Sequence, residues 1–451
     1  MPSPKVLPKP DAIAAIATAA GRGGIGVVRV SGANLLPLAI AVLGKSPVLR
    51  CATYSSFYDA QGEVIDQGIA LYFKSPNSYT GEDVLELQGH GGSAVLQLVL
   101  MRCLELGARI AQPGEFTQRA FLNGKLDLAQ AESVADLIDA TTSQAARSAM
   151  RSLQGDFSRV IHQLVDKLIH LRMLVEAMLD FPEEEIEATD ISQREILLAQ
   201  LRGELASTLN LAQQGCLLRE GAHIVLAGQP NVGKSSLLNS LSGVDVALVS
   251  EVPGTTRDVI RQAIQIAGVP LHIMDTAGLR ESQDVVEQMG IARTHTTLKS
   301  ADVILVLLDA SSGLCSEALA IIKNLPPDIS RLYVFNKIDV HNLPPRVEKC
   351  DGETHIYLSA KTGLGLNLLK DELLSLIGWH QEAGIFMARE RHVRALLEAQ
   401  EFLYSAASEV IRSEIFAEYL RLAQESLSTI TGEFTANDLL GEIFSRFCIG
   451  K

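Results

Sequence analysis

Gly228-Gln229-Pro230-Asn231-Val232-Gly233-Lys234-Ser235-Ser236 follows the apolar run Ile224-Val225-Leu226-Ala227 and precedes the helix-forming Leu237-Leu238-Asn239-Ser240-Leu241. A glycine-rich loop between a strand and a helix lets backbone N–H groups turn inward around phosphate oxygens. Gly228, Asn231, Val232, Gly233 and Ser236 then form the cradle, Lys234 brings its charge to the β- and γ-phosphates, and Ser235 offers a hydroxyl to Mg²⁺. The plainer alternative is a chance glycine-rich turn, which the flanking strand and helix disfavour.

Working outward, the strand-like Pro270-Leu271-His272-Ile273-Met274 runs into Asp275-Thr276-Ala277-Gly278. Asp275 is placed for the Mg²⁺ shell and the Gly278 N–H for the γ-phosphate, with Thr276 and Ala277 between them. Two further strands lead into Asn336-Lys337-Ile338-Asp339 and Ser359-Ala360-Lys361. A carboxylate at Asp339 accepts from both N1–H and the 2-amino group of guanine, and adenine offers neither donor. Asn336 is read with Asp339 as selecting the base, the Ala360 N–H as meeting guanine O6, and the Lys337 stem as lying against the ring. Each motif follows a strand, where an open parallel sheet presents its ligand loops. GTP is the expected substrate.

Leu279 stands where Ras-like switches carry the water-orienting Gln, and an aliphatic side chain cannot position water. Either hydrolysis is negligible or another group does the work; Glu281, Asp284, Glu287 and Arg280 are candidates, and a solvated switch face is the plainer reading of each. The segment Ser250-Glu251-Val252-Pro253-Gly254-Thr255-Thr256-Arg257-Asp258 occupies the place of the first switch. Thr256 is the residue expected to close over the γ-phosphate and Mg²⁺.

The chain has 451 residues, too many for one ordinary core. The nucleotide motifs account for residues 221–377. Residues 126–179 read as long helices from apolar positions at three- and four-residue steps, a further helical run covers 191–218, and the pattern resumes after Gly378. The expected fold is an α/β P-loop GTPase domain (221–377) inserted into an all-α helical domain (125–220 and 378–451). An α+β N-terminal domain (1–124) precedes them, from short apolar alternation before Lys125.

These strings resemble the tRNA-modification GTPases of the MnmE, or TrmE, family. The resemblance rests on the phosphate loop, Gly254-Thr255-Thr256-Arg257-Asp258, Asp275-Thr276-Ala277-Gly278-Leu279-Arg280 and the ending Phe447-Cys448-Ile449-Gly450-Lys451. It extends to Gly21-Arg22-Gly23-Gly24-Ile25-Gly26-Val27-Val28-Arg29-Val30-Ser31-Gly32 and to the stretch from Tyr79-Thr80-Gly81-Glu82-Asp83 to Gly92. It implies a homodimer whose GTPase domains pair around K⁺, with Asn231, Ser250, Val252 and Thr255 around the ion and Glu287 orienting water. Ser250 departs from an expected threonine, which a backbone-carbonyl ligand tolerates. The resemblance also implies a site for 5-formyl-tetrahydrofolate or a related folate at Arg29, Glu86, Lys125 and Lys451. Its expected partners are tRNA and a flavin-dependent enzyme of the MnmG, or GidA, type, and its expected chemistry is on C5 of the wobble uridine.

The net charge of −14 is unusual for a protein acting on tRNA and favours a basic partner or a local basic patch. Arg389, Arg391 and Arg394 are candidates for such a patch, although a solvated helix face is the simpler reading. Six scattered cysteines without a Cys-x-x-Cys pair indicate neither a zinc site nor a disulfide framework, which fits the cytoplasm. Cys448 admits two readings, a thiol activated by a nearby cation such as Lys451 or a buried inert one. Lys5 and Lys9 before the alanine-rich start faintly imitate a signal peptide, but Asp11 argues against export, and no apolar stretch is long enough to span a bilayer. A ribosome-associated GTPase like Era or Der is disfavoured because neither a KH-type Gly-x-x-Gly clamp nor a second phosphate loop is found. A septin-like polymer former is disfavoured by the folate-like positions and Cys448.

Overall fold

The computed structural model describes residues 11–180, 188–244, 261–275, 301–350, 352–382, 384–409 and 412–432, together with Ile443, Phe447 and Gly450. By internal contacts the chain divides into two units: Met1–Ala135 with Leu153–Val165 and Gln424–Lys451, and Asp136–Ser152 with Asp166–Ala423. This division follows contacts, whereas boundaries at 124, 220 and 377 follow motif content.

The first unit is built on a six-stranded sheet of β1 (Ile13–Ile16), β2 (Gly23–Gly32), β3 (Thr53–Tyr58), β4 (Val64–Phe73), β5 (Asp83–Gly91) and β6 (Arg109–Ile110), in the order β3-β4-β5-β2-β1-β6. All pairs are antiparallel except β1 with β6. Alternation along β2 sends Val28 and Val30 into a core with Phe57, Leu85 and Leu87. Helices α1 (Leu36–Leu43) and α2 (Ser93–Glu105) close that core with Leu38, Val42, Leu96 and Val99. The intervening residue, Arg29, faces the other way, opposite Glu86 of β5. On that side Phe116 of α3 (Glu115–Leu122) is buried with Ile13, Ala15 and Ala111. The chain end returns to this unit: Ile443 and Phe447 pack with Leu128 and Ala131, and Gly450 lies against Ile16 and Ala17.

The helical run at 126–179 is three helices, α4 (Leu128–Asp139), α5 (Ser143–Leu153) and α6 (Asp156–Asp180). The breaks have local causes. Thr142 Oγ1 accepts the Ala145 N–H at the start of α5, an N-cap bond, and Gly155 takes a left-handed φ of 88° before α6. A 33-residue helix, α7 (Ala188–Glu220), then leads into the second sheet.

That sheet runs β12-β13-β11-β10-β7-β9-β8. Its centre is parallel: β7 (Ala222–Gly228), β9 (Val269–Asp275), β10 (Val303–Asp309), β11 (Ser330–Asn336) and β13 (Glu353–Tyr357). The edges β8 (Arg261–Ile266) and β12 (Arg346–Cys350) are antiparallel. Both faces are covered, so β7 alternates between two cores: Ile224 and Leu226 enter one, and Val225 and Ala227 the other. Helices α8 (Lys234–Val244), α9 (Ser316–Lys323) and α10 (Leu366–Leu376) belong to this layer. Beyond it come α11 (Glu390–Ser408) and α12 (Ser413–Thr431). The α7 helix packs against α11, where the Arg202 guanidinium lies 4.0 Å from the Tyr404 ring centroid. Among the described residues no helix is long and apolar enough to cross a membrane.

Candidate functional site

The phosphate loop leaves the C-terminal end of the central strand β7 and enters α8 at Lys234. Lys234 is 8% exposed, and its ammonium donates to the Gly228 and Gln229 carbonyls at 2.9 Å each. The cation is thus held inside its own loop by oxygens that phosphate can replace. Gly233 takes φ 102°, and a Cβ there would stand 2.3 Å from Asn336 Nδ2, so only glycine fits. Asn231 also lies in the left-handed region, at φ 64°, which asparagine tolerates. Ser235 and Ser236 are exposed in the first turn of α8.

At the base-reading end, Asn336 is 3% exposed and both ends of its amide are engaged: Nδ2 donates to Val232 O at 2.8 Å, and Oδ1 accepts the Ala360 N–H at 2.8 Å. Asn336 is therefore a brace between the phosphate loop and the Ser359-Ala360-Lys361 turn. The Ala360 N–H, assigned from sequence to guanine O6, is spent on this brace. The Ser240 hydroxyl donates to Ala360 O and ties the same turn to α8. Ser359 Oγ donates to Asp339 Oδ1 at 2.6 Å and fixes the orientation of that carboxylate.

Sequence reading missed Asp309. It ends β10 in register with Asn336 and receives the Lys337 ammonium at 2.8 Å. Burial pushes its carboxyl up, but Lys337 and two bonds from Ser311 outweigh this and hold it at about 2. Lys337, at φ 69°, is thereby held by its ammonium. The strand-end position of Asp309 after an apolar run was the available signal.

Asp275 ends β9 beside Leu226 of β7. Ser250, Val252, Thr255, Thr256, Thr276, Ala277, Gly278, Leu279, Arg280, Glu281, Asp284 and Glu287 lie outside the described residues, as do Cys448 and Lys451.

The first unit holds a cavity of about 410 Å³ lined by Arg50, Phe73, Tyr79, Glu86 and Lys125, among others. Two of the four positions given by resemblance, Glu86 and Lys125, line it, and a third, Arg29, pairs with Glu86. Arg29 Nη2 meets Glu86 Oε1 at 2.8 Å across the β2–β5 ladder, and its guanidinium lies 5.7 Å from the Tyr79 ring centroid and 5.8 Å from that of Phe116. The loop bordering the cavity is tied down by Asp83, 1% exposed, which accepts from Tyr72 Oη at 2.6 Å, Lys74 Nζ at 2.9 Å and the Ser75 N–H at 3.0 Å. Burial raises the Asp83 carboxyl, yet those donors bring it below its ordinary value.

Of the proposed basic patch, Arg389 is engaged with Asp136, with Nη2 to Oδ1 at 2.8 Å, and Arg394 with Glu390. The Asp136 carboxylate also receives Arg219, so Arg389 serves the helical packing.

A phosphate loop on a central parallel strand, with Asn-Lys-x-Asp and Ser-Ala-Lys turns beside it, defines a P-loop GTPase. The chain matches the family models described as MnmE helical domain over residues 128–448 and GTP-binding protein TrmE N-terminus over 12–125. It is 59% identical over 448 residues to the tRNA modification GTPase MnmE of Nitrosospira multiformis, covering 98% of this chain and 99% of that one. The protein of that name from Neisseria meningitidis serogroup B is 58% identical over 441 residues, covering 97% and 98%. The chain belongs to the MnmE family of tRNA modification GTPases. Era from Aquifex aeolicus matches 40% of this chain and 66% of its own at 26% identity, with a TM-score of 0.27 that carries no argument.

Proposed function

We propose that this GTP hydrolase of tRNA modification is a homodimer whose GTPase domains, residues 221–377, pair around K⁺ to hydrolyse GTP to GDP and phosphate. Hydrolysis drives domain movements in a complex with a flavin-dependent partner of the MnmG type. The complex places an aminomethyl or carboxymethylaminomethyl group on C5 of the wobble uridine of cytoplasmic tRNA, with carbon from a tetrahydrofolate. Residues 1–124 bind folate and dimerise, and 125–220 with 378–451 form the helical domain. The observation that carries this reading is a cavity lined by Arg50, Glu86 and Lys125, with Arg29 paired to Glu86, in a chain that also carries a phosphate loop.

Lys234 exchanges its two carbonyls for β- and γ-phosphate oxygens. Asp339, oriented by Ser359, accepts the two guanine donors, while Asn336 keeps the base-reading turn and phosphate loop in register. Lys337 and Lys361 flank the base, and Thr276, Ala277 and Gly278 follow Asp275 toward the γ-phosphate. The exposed Ser235 hydroxyl, with Thr256 and Asp275, suits Mg²⁺. Asn231, Ser250, Val252 and Thr255 suit K⁺, and Asn231 takes a left-handed backbone within the phosphate loop. Bound there, the two ions would supply positive charge beside the phosphate oxygens. Glu287 orients the attacking water in place of Leu279. At the cavity the Arg29–Glu86 pair suits pterin hydrogen bonding and Lys125 suits carboxylates; by family resemblance Lys451 joins Lys125 in that role, and Cys448 is a candidate for the covalent chemistry.

GTP turnover should be fast in K⁺ and fall by about tenfold or more when Na⁺ replaces it. Glu287→Ala should abolish turnover and leave nucleotide binding nearly intact. Turnover indifferent to the cation, or loss of binding in the variant, contradicts the mechanism.

A further inference from the structure

Arg50 lines the N-terminal cavity and belongs to none of the motifs discussed above. Its backbone takes φ 56°, a left-handed conformation uncommon for a residue other than glycine, asparagine or aspartate. Two bonds hold it there: the Arg50 N–H donates to Tyr72 O at 2.9 Å, beside a bridge from Leu49 to Tyr72, and Arg50 Nη2 donates to Asn77 O at 2.7 Å. Such backbone outliers persist where the surroundings over-determine them, and they cluster at ligand clamps. A guanidinium has five N–H donors in a planar fork, so the Asn77 bond leaves most of that fork available.

The charge of the cavity is equally informative. Arg50 and Lys125 line it as cations, and its lining carboxylate, Glu86, is already paired with Arg29. Phe73 and Tyr79 add aromatic surface to the same lining. The lining therefore suits a flat ring system that meets the aromatic surface and Glu86, with a pendant carboxylate for Arg50 and Lys125. We propose that Arg50 is a specificity-determining residue which, with Lys125, binds the glutamate carboxylates of the folate tail. It thereby selects glutamyl and polyglutamyl folates over tail-less pterins. This inference rests on the folate reading of the cavity.

The test compares full-length wild type with Arg50→Gln, Arg50→Gly, which suits the left-handed backbone, and Glu86→Gln. Dissociation constants are measured by calorimetry for 5-formyl-tetrahydrofolate, its triglutamate and a tail-less formyl-tetrahydropterin. Wild type should prefer the tailed ligands, and both Arg50 variants should bind them about tenfold or more weakly, with the tail-less pterin unchanged. Glu86→Gln should weaken all three. Equal weakening of tailed and tail-less ligands in both Arg50 variants, or weakening of neither, overturns the role of Arg50 and leaves the folate reading standing. Wild type that binds none of the three overturns the folate reading, and this inference with it.

Discussion

Asn336 shows how one side chain does structural work inside a recognition motif. Its amide bonds both the phosphate loop and the base-reading turn from a position 3% exposed. Asn336→Ala strands a buried carbonyl and a buried N–H, and it should lower the unfolding free energy by about 1–3 kcal/mol while weakening GTP binding. Urea unfolding with nucleotide titration measures both. Asp83 makes the corresponding prediction for the first unit. Its folded carboxyl lies below the ordinary 3.8, so its stabilisation is present above that value and is lost as pH falls through the folded one. The stability difference between wild type and Asp83→Asn should be full at neutral pH and shrink below about pH 4. A difference independent of pH down to acid unfolding contradicts the assignment. Lys234, Asn336 and Asp339 were legible in the sequence because each sits in a contiguous motif. The pairing of Asp309 with Lys337 and of Arg50 with Tyr72 and Asn77 spans more than twenty residues, and that of Asp83 with Tyr72, Lys74 and Ser75 depends on a folded loop, so no local string records them.

At the scale of elements, the parallel strands were legible because burial on both faces makes them continuous apolar runs. The edge strand β12, reading Arg-Val-Glu-Lys-Cys, has too little apolar content to announce itself. Helix α7 carries a contrast that separates propensity from packing. Gly203 is exposed, and a Cβ there would meet nothing within 4 Å; a Cβ on Gly215 would stand 2.0 Å from Phe386 O. Gly203→Ala should stabilise by roughly 0.5–1 kcal/mol through helix propensity. Gly215→Ala should destabilise despite the same propensity gain, because the backbone of residues 386–388 must move. Thermal unfolding of the two variants decides this, and stabilisation by both would show that the close approach at Gly215 is not a packing constraint.

At the scale of the molecule, the sequence announced the nucleotide site through its motifs. The N-terminal cavity was legible only by family resemblance, since Arg29, Glu86 and Lys125 are 96 positions apart from first to last and Arg29 and Lys125 read locally as surface charges. Strand pairing between β2 and β5 is what makes Arg29 and Glu86 a pair. In the proposed function, GTP hydrolysis in this chain serves modification of the wobble uridine. Nucleoside analysis of tRNA from a deletion strain, complemented with wild type or with Lys234→Ala, tests it most directly. The account predicts that the deletion strain lacks the C5 aminomethyl-type modification, that wild type restores it, and that Lys234→Ala does not. Full modification without the protein, or restoration by the variant, would contradict it.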